Sequence, residues 1–376
     1  MGPTDIDTSE RPFVLVWEVT QACDLACDHC RASARPERHP RELSTAEGRD
    51  LLSEASRFGD DQLVVLSGGD PMKRPDLVDL VAHGTDAGCR MTLTPSGTDG
   101  LDRGALAELR SHGLGRLALS FDGGDAEAHD AFRGEAGSFE TTVRAAEGAR
   151  ELGLPFQINT TVCAETVDRL PAVRELVADL GAARWAVFFL VPVGRGALLD
   201  PVPPERAERV MRWLRDVRDD APFGVKTTEA PFYRRVAMQA REDGDGAAAD
   251  AGGPSDPATG RRTGIVAGDG FAFVSHLGDV YPSGFLPRPA GNVREDSVVE
   301  LYRDADLFER LRDRDALSGK CGACGFRRVC GGSRSRAYAH TGDPLASDPL
   351  CPYVPDGYDG PVPGPAHEER GSARSD

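Results

Sequence analysis

From residue 13 to about residue 192 the chain alternates short apolar runs with longer amphipathic stretches, the pattern of repeated β–α units about a parallel sheet. Six runs have strand length: 13–20, 63–67, 90–95, 116–121, 156–162 and 185–191. The stretches between them predict helices near 44–58, 74–87, 102–111, 139–152 and 167–180, with a sixth at 204–220. Several open on Ser, Thr or Asp, whose side-chain oxygen accepts from the unpaired N–H groups of a first helical turn. Six units are two short of a closed eight-fold barrel. The pattern therefore fits two α/β architectures, a partial (β/α)6 TIM-like barrel and a doubly wound sheet.

Beyond the sixth helix the pattern changes. Residues 241–264 are rich in Ala, Gly, Asp and Pro and poor in large apolar side chains, which predicts a flexible insertion. Residues 271–275 and 279–282 flank Gly278 as a hairpin, and four cysteines follow. The expected organisation is a disordered N-terminus (1–11), the partial barrel (12–222), a bridging segment with the insertion (223–270), a small α+β cysteine-rich domain (271–354) and a disordered tail (355–376).

Charge and composition then narrow the function. With 61 Asp and Glu against 44 Lys and Arg, the chain has no general field to hold a polyphosphate backbone, so nucleic acid is not expected as a partner. The polar start lacks the apolar core of a signal peptide, and no apolar run reaches the ~18 residues of a membrane span. A soluble cytoplasmic protein without a membrane partner is expected. In such a setting nine cysteines point to metal or reactive thiols ahead of disulfides.

Cys23, Cys27 and Cys30 form Cys-x3-Cys-x2-Cys just after the first strand. Three thiolates can hold three irons of a [4Fe–4S] cube and leave the fourth open, whereas a zinc site or incidental thiols would explain the spacing alone. At the end of the second strand stands Ser67-Gly68-Gly69-Asp70-Pro71. Ser120-Phe121-Asp122-Gly123 ends the fourth, and Arg133-Gly134 and Gly137-Ser138-Phe139 follow. In this order the motifs closely resemble the radical S-adenosylmethionine (SAM) superfamily over roughly residues 13–200. The resemblance implies that the open iron chelates SAM and cleaves it to a 5′-deoxyadenosyl radical that abstracts hydrogen from a substrate. It places His29 near the adenine and gives the Gly68-Gly69-Asp70-Pro71 backbone to the SAM amino group, with Asp70 where the family usually has Glu. Ser96, Ser120, Asp122, Arg133 and Asn159 are then the SAM contacts about the ribose and methionine carboxylate. Taken singly, polar residues at strand ends are most often turn formers.

Cys321, Cys324 and Cys330 give Cys-x2-Cys-x5-Cys, with Cys351 beyond. Four thiolates suit tetrahedral zinc or a fully ligated cube. Together with Gly278-Asp279-Val280-Tyr281-Pro282 and Gly291-Asn292-Val293, they resemble the SPASM module, which carries auxiliary clusters in radical SAM enzymes. Where that module supplies a cysteine to its inner cluster, this chain has Ser283. One auxiliary [4Fe–4S] cluster, in a reduced "twitch-like" module, is the expectation. Cys89 and Cys163, beside strands, read as small buried hydrophobes.

The stretch from Cys330 to Cys351 resembles the branch that modifies the propionates of heme- and siroheme-type tetrapyrroles, with Arg334 and Arg336 as candidates to meet carboxylates or to form ordinary ion pairs. The rival reading is a maturase that oxidises or crosslinks a ribosomally made peptide. A non-catalytic zinc or electron-carrier protein is the third. His276, Tyr281 and Glu229 are candidates to act on substrate from segments expected to cap the barrel mouth. The implied partners are a small molecule or peptide and an electron donor such as flavodoxin or ferredoxin.

Overall fold

A computed structural model describes residues 6–242 and 265–364. Among the described residues ten strands form one sheet: β1 (Val14–Thr20), β2 (Leu63–Gly68), β3 (Arg90–Leu93), β4 (Arg116–Ser120), β5 (Phe156–Val162), β6 (Arg184–Phe189), β7 (Gly224–Thr228), β8 (Phe271–Val274), β9 (Asp279–Tyr281) and β10 (Gly291–Asn292). β1 to β7 pair in parallel in chain order, and β8 pairs in parallel with the free side of β1. This is the strand order of an eight-membered ring opened between β7 and β8. The antiparallel β9 and β10 extend the sheet from β8.

A single cavity decides that the sheet curls. It is lined at once by Val14 and Val16 of β1, Val65 of β2, Gln157 of β5, Phe188 of β6, Val225 of β7 and Phe273 of β8. At about 4.8 Å between strands, a flat sheet would hold β7 and β8 roughly 34 Å apart. The barrel reading is right and the doubly wound alternative falls. The ring has two more parallel strands than the six expected, because β7 is a half-polar edge strand that begins on Gly224, and β8 arrives only after a long excursion.

The strand alternation sorts the side chains. In β1, Leu15, Trp17 and Val19 are sealed beneath the helices, while Val14 and Val16 face the lumen. In β5, Ile158 and Val162 are buried, whereas Gln157, Asn159 and Thr161 line the interior. One register is thus apolar and supports the helical layer; the other furnishes a polar lining.

Eight helices belong to the ring: α1 (Thr45–Ala55), α2 (Leu77–Asp86), α3 (Arg103–Ser111), α4 (Ala126–Arg133), α5 (Ser138–Glu151), α6 (Leu170–Asp179), α7 (Pro204–Asp220) and α8 (Tyr233–Glu242). The C-terminal part adds α9 (Val298–Asp304), α10 (Asp306–Arg312), α11 (Gly319–Ala323) and α12 (Arg334–Thr341). α1 packs so closely on β1 that a Cβ at Gly48 would stand 2.5 Å from the Trp17 ring. α4 and α8 were not expected: α4 is short, and α8 runs into the Ala/Gly-rich stretch. Of that stretch, Arg241 and Glu242 end α8 and residues 243–264 lie outside the described residues. So do 1–5 and 365–376 of the two expected disordered ends. Among the described residues, no helix is long and apolar enough to cross a membrane.

Glu47 ties the first helix to the C-terminal part. It completes a capping box with Ser44 and accepts from Arg294 Nε at 2.6 Å. The Arg294 bond, followed by those from Ser44, holds its carboxyl down at about 2 against an ordinary 4.5. A lowered carboxyl stabilises the fold above its unfolded value and loses that contribution as pH falls through the folded one. Glu47→Gln should therefore lower the urea midpoint at pH 7, with the gap to wild type closing between pH 4.5 and 2. The effect should not exceed about 1 kcal/mol, because the pair is half-exposed and screened. A gap that persists unchanged at pH 2 would refute it.

Candidate functional site

The loop after β1 carries the first three cysteines into a second cavity at the C-terminal ends of the strands, the end where barrels of this kind build sites. Its wall contains Cys23, Cys27, Cys30, His29, Gly68, Gly69, Ser96, Ser120, Asp122, Arg133 and Asn159, so residues from six separate stretches of sequence converge there. The cavity measures about 220 Å³. It joins the larger one, about 320 Å³, through the shared residues Arg31, Ser67, Thr94, Asn159, Phe188 and Phe285.

Each thiol of the loop has donors or polar partners about it. Cys23 Sγ lies 3.4 Å from Ser96 Oγ and accepts from the Leu25 N–H at 3.4 Å. Cys27 Sγ accepts from Arg133 Nη1 at 3.6 Å, and Cys30 Sγ from the Ala34 N–H at 3.4 Å. Such donors can hold a sulfur that ligates iron. Burial, the larger influence, pushes the Cys23 thiol up. Asp122 is 1 % exposed and lies 3.1 Å from Arg133 Nε, while the Thr161 N–H donates to it at 2.7 Å. Burial raises its carboxyl, but Arg133 and His29 more than offset this and leave it below the ordinary range. Arg133 is thus shared between Asp122 and Cys27.

His29 stacks on Phe132 with ring centroids 4.9 Å apart. Burial, aided by Arg133 and Arg195 against the pull of Asp122, lowers it to about 4, so it is neutral at pH 7. Its Nδ1 is buried without a hydrogen-bond partner, as is Arg195 Nη2 in the same wall. Unused donors and acceptors about a cavity are what a polar ligand with charged ends, such as SAM, would satisfy. Arg195 was missed in the sequence. It donates to the carbonyls of Cys27 at 2.9 Å and Ala34 at 3.4 Å and so braces the cysteine loop from the end of β6. Its signal was a Gly-Arg-Gly turn, since a Cβ at Gly194 would stand 2.3 Å from the Arg31 carbonyl.

Several expectations need correction. Asp70 and Pro71 stand behind the cavity wall. The Asp70 carboxylate, 1 % exposed, accepts from Thr98 Oγ1 at 2.6 Å, from the Met72 N–H at 3.2 Å and from the Ser96 N–H at 3.4 Å. It locks the β2 end to the loop after β3, with burial pushing its pKa up against those bonds. Asp70→Glu, which matches the family's usual residue, should therefore cost about 1–3 kcal/mol by overpacking. An unfolding midpoint equal to wild type would contradict this. His276 and Tyr281 line neither cavity, because their hairpin continues the sheet instead of capping the barrel. His276 Nδ1 pairs with the buried Glu18 at 2.7 Å, Glu18 also holds Arg31 at 2.6 Å, and Tyr281 packs against Phe273. Glu229 does line the larger cavity, its carboxylate taken up by the hydroxyls of Ser333, Ser335 and Ser283.

Arg334 and Arg336 are not at a substrate rim. Arg334 is fully buried and donates to the carbonyls of Pro344 and Ala346, both at 2.8 Å. Arg336 pairs with Asp348 at 3.2 Å and donates to the carbonyls of Phe189, Leu190 and Glu229, pinning α12 to the end of β6. The four cysteines of the second group line one small cavity. Donors are aimed at their sulfurs: Asp348 N–H at Cys321 (3.4 Å), Gly332 N–H at Cys330 (3.4 Å) and Arg235 Nη2 at Cys351 (3.6 Å). Burial pushes the Cys351 thiol up to about 11. Four thiols about one cavity, three of them facing N–H donors, fit a cluster ligated at every corner. Cys89 and Cys163 are buried apart from both groups, against Leu52 and Thr166.

A ring-ordered barrel with a three-cysteine loop and a glycine-lined polar cavity at its strand ends defines a SAM-dependent iron–sulfur enzyme. Residues 17–177 match the Radical SAM superfamily. The "AdoMet-dependent heme synthase" of Methanosarcina barkeri is 40% identical over 93% of this chain and 99% of its own length. The enzyme of the same name from Nitratidesulfovibrio vulgaris is 39% identical over 94% and 96%. The chain belongs to the radical SAM superfamily and is similar to its heme-modifying branch. In fold it also matches Streptococcus suis SuiB bound to the precursor peptide SuiA, with a TM-score of 0.70 over 92% of this chain and 76% of that one, at 16% identity. As a member of the superfamily it uses SAM and a [4Fe–4S] cluster to generate a 5′-deoxyadenosyl radical that abstracts hydrogen from its substrate.

Proposed function

We propose that this enzyme oxidatively decarboxylates propionate side chains of an iron tetrapyrrole. The observation that carries the reading is the likeness to two heme synthases along nearly the whole of both chains, which takes in the second cysteine group and its flanks as well as the barrel. Cys23, Cys27 and Cys30 hold the cluster, whose bound SAM supplies the hydrogen-abstracting radical. Gly68 and Gly69 let the β2 end close against the cysteine loop; Ser96, Ser120, Asn159 and Arg195 present polar groups to SAM; His29 stands as a neutral ring on the cavity wall. Cys321, Cys324, Cys330 and Cys351 hold one auxiliary cluster, and a flavodoxin or ferredoxin provides the reductant.

The chemistry balances as follows. A hydrogen atom leaves the propionate β-carbon for the 5′-deoxyadenosyl radical, the C–C bond to the carboxylate breaks with release of carbon dioxide, one electron would pass to the auxiliary cluster held by the second cysteine group, and a vinyl group remains. Incubating the reduced, reconstituted enzyme with SAM and iron-coproporphyrin III should yield 5′-deoxyadenosine coupled to a mass loss of about 46 per propionate. If 5′-deoxyadenosine stays at its uncoupled background with every tetrapyrrole while a precursor peptide raises it, the maturase reading replaces this one.

A further inference from the structure

Each charged side chain that lines the larger cavity is already taken by a protein group. Arg31 pairs with Glu18 at 2.6 Å and lies over the Phe273 ring, 4.5 Å from its centroid. Arg218 pairs with Asp219 at 2.9 Å, Lys226 and Arg234 have partners of their own, and Glu229 is held by serine hydroxyls. Among the described residues, a carboxylate entering this space therefore meets no free cation. The unspent polar groups lie at the junction with the cysteine-loop cavity. There, among the described residues, the Ser67 and Thr94 hydroxyls make no hydrogen bond. Asn159, also at the junction, accepts from Gln157 Nε2 at 2.8 Å and serves SAM in the reading above.

The strands make these two hydroxyls a pair. Leu66 stands opposite Leu93 in the β2–β3 ladder, and the Thr94 N–H donates to the Leu66 carbonyl at 2.9 Å. Both leucines are sealed beneath the helices. The alternation then turns Ser67 and Thr94 into the lumen as neighbours on one face, their strands about 4.8 Å apart. Two adjacent O–H groups can donate to the two oxygens of one carboxylate. Val65, Phe188 and Phe285 share the lining with them, and apolar surroundings strengthen such bonds. We infer that Ser67 and Thr94 hold the carboxylate that is lost as carbon dioxide, and so turn one propionate of the substrate toward the cysteine loop. Neutral donors suit that task. The charge leaves the carboxylate as its C–C bond breaks, so a guanidinium would stabilise the starting state more than the transition state, and hydroxyls do so less. The inference rests on the tetrapyrrole reading above and names the residues that select the reacting group.

The test uses full-length, anaerobically reconstituted protein. Iron-coproporphyrin III and its tetramethyl ester, which keeps the ring and loses the charges, are titrated by absorbance, and SAM by equilibrium dialysis. Ser67→Ala and Thr94→Val should each weaken binding of the tetracarboxylate about tenfold, with SAM and ester affinities within about twofold of wild type. In turnover, vinyl product per 5′-deoxyadenosine should fall about threefold or more, because the radical then meets a propionate that is not held. Thr94→Ser, which keeps the hydroxyl, should bind within about threefold of wild type. If the tetracarboxylate binds wild type and every variant alike, the inference is wrong and the tetrapyrrole reading stands. If SAM affinity falls in place of the tetracarboxylate's, the hydroxyls belong to SAM and the inference is likewise wrong. If acid and ester weaken together, the two residues act through structure and it is wrong again. If neither ligand binds wild type, the tetrapyrrole reading falls and takes this inference with it.

Discussion

Replacing Cys23, Cys27 and Cys30 together with Ala should leave the protein with about half of its iron and no reductive cleavage of SAM. Two cubes of four give roughly 8 Fe per chain, and the variant should keep the roughly 4 held by the second group. The two groups are apart in structure: the first hangs between β1 and Arg195, the second is enclosed by α8, α11 and the loop before α12. Loss of one should leave the other's scaffold intact. Conversely, Cys324→Ala should lose the auxiliary iron and retain some cleavage of SAM. A triple variant with its full iron content, measured beside protein concentration on the same sample, would overturn the ligand assignment.

The second large effect is expected at Gly69. A Cβ there would stand 2.4 Å from the Ala22 carbonyl oxygen and 2.6 Å from that of Gln21. Neither oxygen can yield cheaply, since Ala22 O accepts the Asp70 N–H at 2.6 Å and Gln21 O the Arg35 N–H at 3.0 Å. Gly69→Val therefore drives the cysteine loop away from the β2 end and breaks the bonds that shape it. SAM affinity should fall at least about a hundredfold, with partial loss of iron from the first site and no loss from the second. The resemblance gave the backbone here to SAM; the collision a side chain meets is with the loop that carries the ligands. A folded Gly69→Val protein with wild-type SAM affinity would refute the account.

What was legible in the sequence follows from how narrowly each role constrains its residue. Thiolates for iron, glycines where two backbones touch and polar residues at strand ends must be those types at those places, so the cysteine loop, Gly68-Gly69, Ser96, Ser120, Asp122, Arg133 and Asn159 could be read before the fold was known, and they meet at one cavity. Charge is less specific. Arg334 and Arg336 looked like ligands for carboxylates because a sequence displays a guanidinium but not its burial; in the fold their donors are spent on main-chain carbonyls, Asp348 and the Cys321 sulfur. Arg195 and Arg235 were overlooked for the same reason, since long-range contacts alone give them their roles. Asp70 was given to SAM through its backbone; in the fold its N–H donates to the Ala22 carbonyl at 2.6 Å and its carboxylate accepts from Thr98. β7 escaped because an open edge needs no apolar run.

The place of β1 also has a consequence for how the molecule is made. The strand that opens the barrel and leads into the cysteine loop lies between β2, which follows soon after it, and β8, which pairs Phe271 with Val14. During synthesis, one edge of that strand therefore stays bare until nearly three-quarters of the chain has left the ribosome. Such distant pairing is slow to close and leaves an apolar strand open to wrong partners meanwhile. The buried pair of Glu18 with His276 forms only on that same closure, so the barrel and its first loop mature together with the C-terminal part and not ahead of it.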